Sequence, residues 1–141
     1  MHRDSNSLHA TVQSIFPNWR FAAADSVAGY GLHGAYFIGE KQPISDRRRE
    51  WRDALSSFAI ELSNGDGAVL NGCGGAVLGG PLEALRHLLR VLESFPAGDS
   101  LRPGELVTPG TLTDAPAIAA RETWSTTLKG IALEGLRLEL R

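Results

Sequence analysis

The sequence predicts an α+β, sheet-rich domain with one long helix packed on it. Three observations carry that reading. The run NGDG (64–67) separates two apolar stretches, a strong hairpin signal. PLEALRHLLRVLESF (81–95) places Leu82, Leu85, Leu88, Leu89, Leu92 and Phe95 on one stripe at helical period. The closing LRLEL alternates, with Leu136, Leu138 and Leu140 on one face. At 141 residues the chain reads as a single domain, 1–141, long enough to bury a core without staples.

The elements follow in chain order. LHATVQSIFPNW reads as a short helix or strand ending at Pro17. AYFIG, after several small residues, is an apolar burst of strand type. LSSFAIELS (55–63) alternates as a strand, and AVLNGCGGAVLG (68–79) is its return partner across the turn. The glycine pairs in the return strand predict bulges or the close approach of another backbone. Pro81 suits a first helical position, after Gly79 and Gly80. Glu83 can pair with Arg86 or His87 on the outer face of the helix, and PAG (96–98) stops it. LRPGELVTPGTLT (101–113) reads as a tight turn at Pro103-Gly104 and a short strand. TWSTTLKGIALEGLRLELR reads as two strands.

Composition excludes several function classes. A net charge of −2 gives no electrostatic case for nucleic acid or an anionic membrane. The basic run DRRREWRD (46–53) carries its own acidic neighbours and reads as a solvated face. No stretch reaches the length of a membrane span, and the first residues contain no apolar signal-peptide core, so the expected location is cytoplasmic. The single cysteine, Cys73, excludes an internal disulfide framework and a cysteine-based zinc site. It sits among glycines with no histidine or acid nearby in sequence, which reads as a strand residue and not a nucleophile.

Longer motifs add a resemblance. GGAVLGGPLEALRHLL, LRPGELVTPGTLT, EGLRLELR and, upstream, NWRFAAADSVAGYGLHGAYFIG resemble the fumarylacetoacetate hydrolase superfamily, in the branch of 2-keto-4-pentenoate hydratases and 4-oxalocrotonate decarboxylases. The resemblance spans nearly all of 8–141. It implies a mixed β-roll around a helix, and a divalent magnesium or manganese ion that holds a 2-oxo acid and stabilises an enolate.

The sequence departs from that pattern where the metal belongs. The family's Glu-x-Glu pair lies in an N-terminal half that has no counterpart in this chain. The next carboxylate position falls on Ala10, and the acidic position after it on Gln13. The family's Asp-Asn falls on Gly29 and Tyr30, its two serines on Leu32 and His33, and its lysine on Arg20. Asp25 keeps a family aspartate, and equally suits a helix or turn cap. The expectation is therefore no metal and no cofactor.

The rebuilt stretch DSVAGYGLHGAYFIGE (25–40) is the candidate site. Histidine suits general acid–base work, which makes His33 the first candidate for proton transfer. Tyr30 can donate a hydrogen bond to a developing enolate. Arg20 can hold a carboxylate bidentately, and Thr111 and Asp25 complete the substrate-binding candidates. In the bland reading these residues only fill a decayed pocket. His2, His9 and His87 read as ordinary polar residues. Two functions stay open. One is a metal-independent lyase or isomerase acting on a small carbonyl or 2-oxo acid substrate by dehydration, decarboxylation, isomerisation or cyclisation, in a biosynthetic setting. The other is a non-catalytic, hydratase-like subunit that pairs with itself or a full-length partner. In both, uncovered sheet edges and apolar surface predict a homodimer or higher oligomer.

Overall fold

The computed structural model describes residues 4–5, 8–96 and 100–141. It divides into an N-terminal ribbon and a larger body.

The ribbon begins with β1 (Asp4–Ser5) and β2 (Leu8–Val12). A 3-10 turn at Pro17–Trp19 leads to the short helix α1 (Ala23–Ala28), a second 3-10 turn at Tyr30–Leu32, β3 (His33–Ile38) and β4 (Gln42–Pro43). β2 and β3 pair antiparallel, and β1 pairs with β4. The segment 8–19 is thus a strand followed by a turn. Its partner lies more than twenty residues away, which local pattern does not reveal.

The body is α2 (Arg48–Ser57), β5 (Ala59–Asn64), β6 (Val69–Cys73), α3 (Pro81–Ser94), β7 (Thr123–Lys129) and β8 (Arg137–Glu139). The four strands form one antiparallel sheet in the order β6-β5-β7-β8. Register puts Ile60 and Leu62 of β5 on the same face as Leu70 of β6, Trp124 and Leu128 of β7, and Leu138 of β8. That face holds part of the core, and Trp51, Phe58, Val77 and Ala84 complete it.

Several expectations hold. The Asn64–Gly67 hairpin is present: Asn64 Oδ1 accepts from the N–H groups of Asp66 and Ala68 at 3.2 and 2.9 Å. Another backbone does approach β6, because a side chain at Gly72 would run into the carbonyl of Leu112. The helix starts at Pro81, with Glu83 and Arg86 paired at 3.5 Å and His87 exposed. The turn at Pro103-Gly104 closes through Glu105 N–H to Arg102 O at 3.2 Å. Leu136, Leu138 and Leu140 alternate inward against exposed Arg137 and Glu139.

Other expectations need correction. Residues 55–57 end a helix and do not begin a strand. Residues 48–53 of the run 46–53 start that helix, with Trp51 buried at 5% exposure among solvated charges. The return strand stops at Cys73, where a 3-10 turn at Gly74–Ala76 takes over. The segment 101–113 pairs with no strand. The α3 stripe is only half covered, with Leu82, Leu89 and Phe95 exposed and Ala84 the one buried residue of that helix. The helix ends at Ser94, and 97–99, with most of the PAG stop, lie outside the described residues. All described strand pairs are antiparallel.

Candidate functional site

Asp25 starts the local chain of causes. Its Oδ2 accepts the N–H of Ala22 at 2.8 Å, which caps the first turn of α1. Gly29 N–H closes that helix onto Asp25 O at 2.8 Å, and Leu32 N–H returns to Gly29 O at 2.9 Å. The chain then crosses three consecutive left-handed residues: Tyr30 at φ 54°, Gly31 at 66° and Leu32 at 58°. For residues with a Cβ this conformation costs roughly 1–2 kcal/mol each. The strained corner delivers the chain to His33, the first residue of β3.

A bulge then sets the direction of His33. Thr11 faces Ala35 and Val12 faces His33, so Gly34 is an extra residue on β3. In a regular strand, residues 33 and 36 would point to opposite faces. With Gly34 inserted, the rings of His33 and Tyr36 stack, their centroids 3.9 Å apart and their planes 29° from parallel. Only glycine fits there, because a Cβ on residue 34 would lie 2.7 Å from Thr11 Oγ1. That same hydroxyl accepts the N–H of Ala35 at 3.0 Å.

Tyr36 is also one wall of a cleft. The cleft, of about 410 Å³, lies between β3 and the body sheet. Phe37, Leu62, Trp124 and Leu138 supply apolar lining, and Ser125 and Arg137 supply polar groups. Arg137 and Glu139 form an exposed ion pair at 3.2 Å. Below the cleft, Trp124 Nε1–H donates to Glu122 Oε2 at 2.9 Å, and Ala119 N–H reaches the same oxygen at 2.9 Å. These two bonds, the tryptophan's first, hold the Glu122 carboxyl below its ordinary range. A second depression of about 320 Å³ lies against α2, where the Arg47–Glu50 ion pair leaves no net charge.

The candidates named from sequence are only partly brought together. His33 does not line the cleft either; it adjoins it through its stack on Tyr36. Tyr30 is 89% exposed and outside the cleft lining. Asp25 caps α1, and Arg20 is exposed just after the first 3-10 turn. Thr111 is exposed in the loop that packs on β6 and Val77, and it does not line the cleft. His2 lies outside the described residues. Sequence reasoning missed Tyr36, Trp124, Ser125 and Arg137. The available signal was the odd glycine between two aromatic rings in HGAY.

The described residues do not fit a hard divalent cation. Among the described residues no three His, Cys, Asp or Glu side chains gather to hold one. Ala10, at the position of a family carboxylate, lies in β2 opposite Tyr36. Among the described residues no helix is long and apolar enough to cross a membrane.

No family model matches the chain. It is 32% identical over 120 residues to a 2-keto-4-pentenoate hydratase of Paraburkholderia xenovorans, and equally to one of Pseudomonas putida. Each alignment covers 85% of this chain and 42% of the relative. The chain thus spans under half the length of the curated relatives it matches. A 4-oxalocrotonate decarboxylase from Pseudomonas putida, solved with magnesium and adipate, superimposes with a TM-score of 0.80 at 20% identity, over 96% of this chain and 48% of that one. The resemblance read from the motifs is therefore present in sequence and in fold.

Proposed function

From its relation to the 2-keto-4-pentenoate hydratases, we propose that this chain is a lyase- or isomerase-type enzyme working by acid–base chemistry without a metal. Its substrate is a small carbonyl compound of the 2-oxo acid type, and its setting is cytoplasmic. The carrying observation is the His33–Tyr36 stack, which a bulge aims at the wall of the cleft.

In this reading the substrate lies on the apolar floor of Trp124, Leu62 and Leu138. Arg137 is the cation nearest its carboxylate. His33 takes a proton from the carbon beside the carbonyl, and the electron pair moves into the carbonyl as an enolate. Returning the proton elsewhere isomerises the substrate, and expelling a β-hydroxyl dehydrates it. The Tyr36 hydroxyl supports the enolate oxygen, the part given to Tyr30 from sequence alone. The second reading, a non-catalytic hydratase-like subunit, draws support from the outward position of Tyr30 and Thr111.

Turnover of 2-oxo acids, starting with 2-keto-4-pentenoate, separates the two readings. General acid–base catalysis contributes about 100- to 10,000-fold. His33→Ala should lose that factor with the fold intact. His33→Gln keeps a hydrogen bond but moves no proton near neutral pH, and should lose nearly as much. Wild-type turnover in both variants would remove His33 from the chemistry.

A further inference from the structure

We infer that the cleft selects a monocarboxylate with a ring-sized apolar tail over short acids and over dicarboxylates. The inference rests on the reading of this cleft as the substrate site, and it adds what the substrate carries beyond its carboxylate and carbonyl.

Volume comes first. An apolar cavity of about 150 Å³ holds one benzene, six non-hydrogen atoms. At that packing a five-carbon 2-oxo acid fills roughly 200 Å³, and one ending in a phenyl ring roughly 330 Å³. The cleft measures about 410 Å³. A short acid therefore leaves about half of it to water, and a phenyl tail takes up most of the remainder.

The walls come second. The floor is buried, with Trp124 at 5% exposure, but the β3 wall is bare: Tyr36 is 42% exposed and Ile38 51%. Both line the cleft, and they stand two residues apart on one strand. An apolar tail between them and Trp124 removes that surface from water, and the rings of Tyr36 and Trp124 favour an aromatic one.

Charge sets the number of carboxylates. Arg137 is the one charged side chain among the lining residues. Its partner Glu139 lies 3.2 Å away, and Glu122 bonds the Trp124 indole. One carboxylate meets Arg137. A second would lie on apolar wall with no cation to pair with and acids nearby, which disfavours it.

Calorimetric titration of the full chain with butanoate, 4-phenylbutanoate and adipate tests this without turnover, because none of the three carries the reactive carbonyl. 4-Phenylbutanoate should bind at least ~10-fold tighter than either of the others. Arg137→Gln, at an exposed position, should weaken it about 10-fold. Ile38→Asp should bring 4-phenylbutanoate down to the affinity of butanoate, with unchanged far-UV circular dichroism. Leu89→Asp, on α3 and outside the cleft lining, should change none of the three affinities. Butanoate or adipate binding as tightly as 4-phenylbutanoate in the wild type overturns the inference, and so does no binding of any of them. A preference for the phenyl tail that survives in folded Ile38→Asp overturns it as well. If the expected order holds while no 2-oxo acid is turned over, the selectivity of the cleft stands and the proposed chemistry falls.

Discussion

The ribbon and the body are built on different terms. The body buries Trp51, Phe58, Ile60, Val77, Ala84 and Trp124 between one antiparallel sheet and two helices. In the ribbon, none of residues 10–43 is buried. Its described long-range hydrogen bonds close on itself, as in Gln13 N–H to Leu32 O at 2.9 Å and Ala35 N–H to Thr11 Oγ1 at 3.0 Å. Yet His33, Tyr30, Asp25 and Arg20 all stand on the ribbon, with its left-handed corner and its bulge. The difference teaches that this molecule keeps stability and candidate chemistry apart. The body holds the fold, and the ribbon holds a strained arrangement over a wall that the body provides.

Stability mutants should break the two regions apart. Trp124→Ala removes a buried indole and should cost about 3–5 kcal/mol in chemical denaturation. Val27→Ala removes an exposed side chain and should change folding stability by no more than about 0.5 kcal/mol in the monomer. Comparable losses would mean that the ribbon shares the core.

The bulge sharpens the same comparison. Gly34→Ala forces a Cβ against Thr11 and should cost about 1–3 kcal/mol. It should also part His33 from Tyr36 and lower turnover as His33→Ala does. Retained turnover would show that the stack does not position the histidine.

The smallest expected effect lies in the body. The folded-state pKa of Glu122 is lowered by the Trp124 indole, so its contribution is present above the ordinary carboxylate value of 4.5. The contribution fades as pH falls from there through the lowered pKa. Melting temperatures between about pH 6 and 3 should fall less steeply for Glu122→Gln than for wild type. Equal slopes would remove this bond from the acid response.

Legibility in the sequence follows the same division. The hairpin at Asn64, the helix from Pro81, the β7–β8 pair and the backbone against Gly72 were readable, because each rests on local period or turn chemistry. The start of α2 was hidden, since one buried residue, Trp51, sits among charges and leaves no stripe. The exposure of Leu82, Leu89 and Phe95 on the apolar stripe was not readable either, because coverage depends on distant chain. At the candidate site the sequence pointed to His33 but paired it with Tyr30. A strand read as regular puts residue 36 on the far side, and only the pairing with Thr11 and Val12 exposes Gly34 as an extra residue. Arg137 and Trp124 reach the cleft from the other end of the chain, where no spacing rule connects them to residue 33.

The central claim is proton transfer by His33 at this cleft without a metal. Its most direct test is deuterium exchange at carbon 3 of 2-oxopentanoate, followed by proton NMR in heavy water with a chelator present. The wild type should wash deuterium into that position well above the buffer rate, and His33→Ala and His33→Gln should fall by about 100-fold or more. Exchange that disappears with the chelator, or that survives in both variants, would contradict the account.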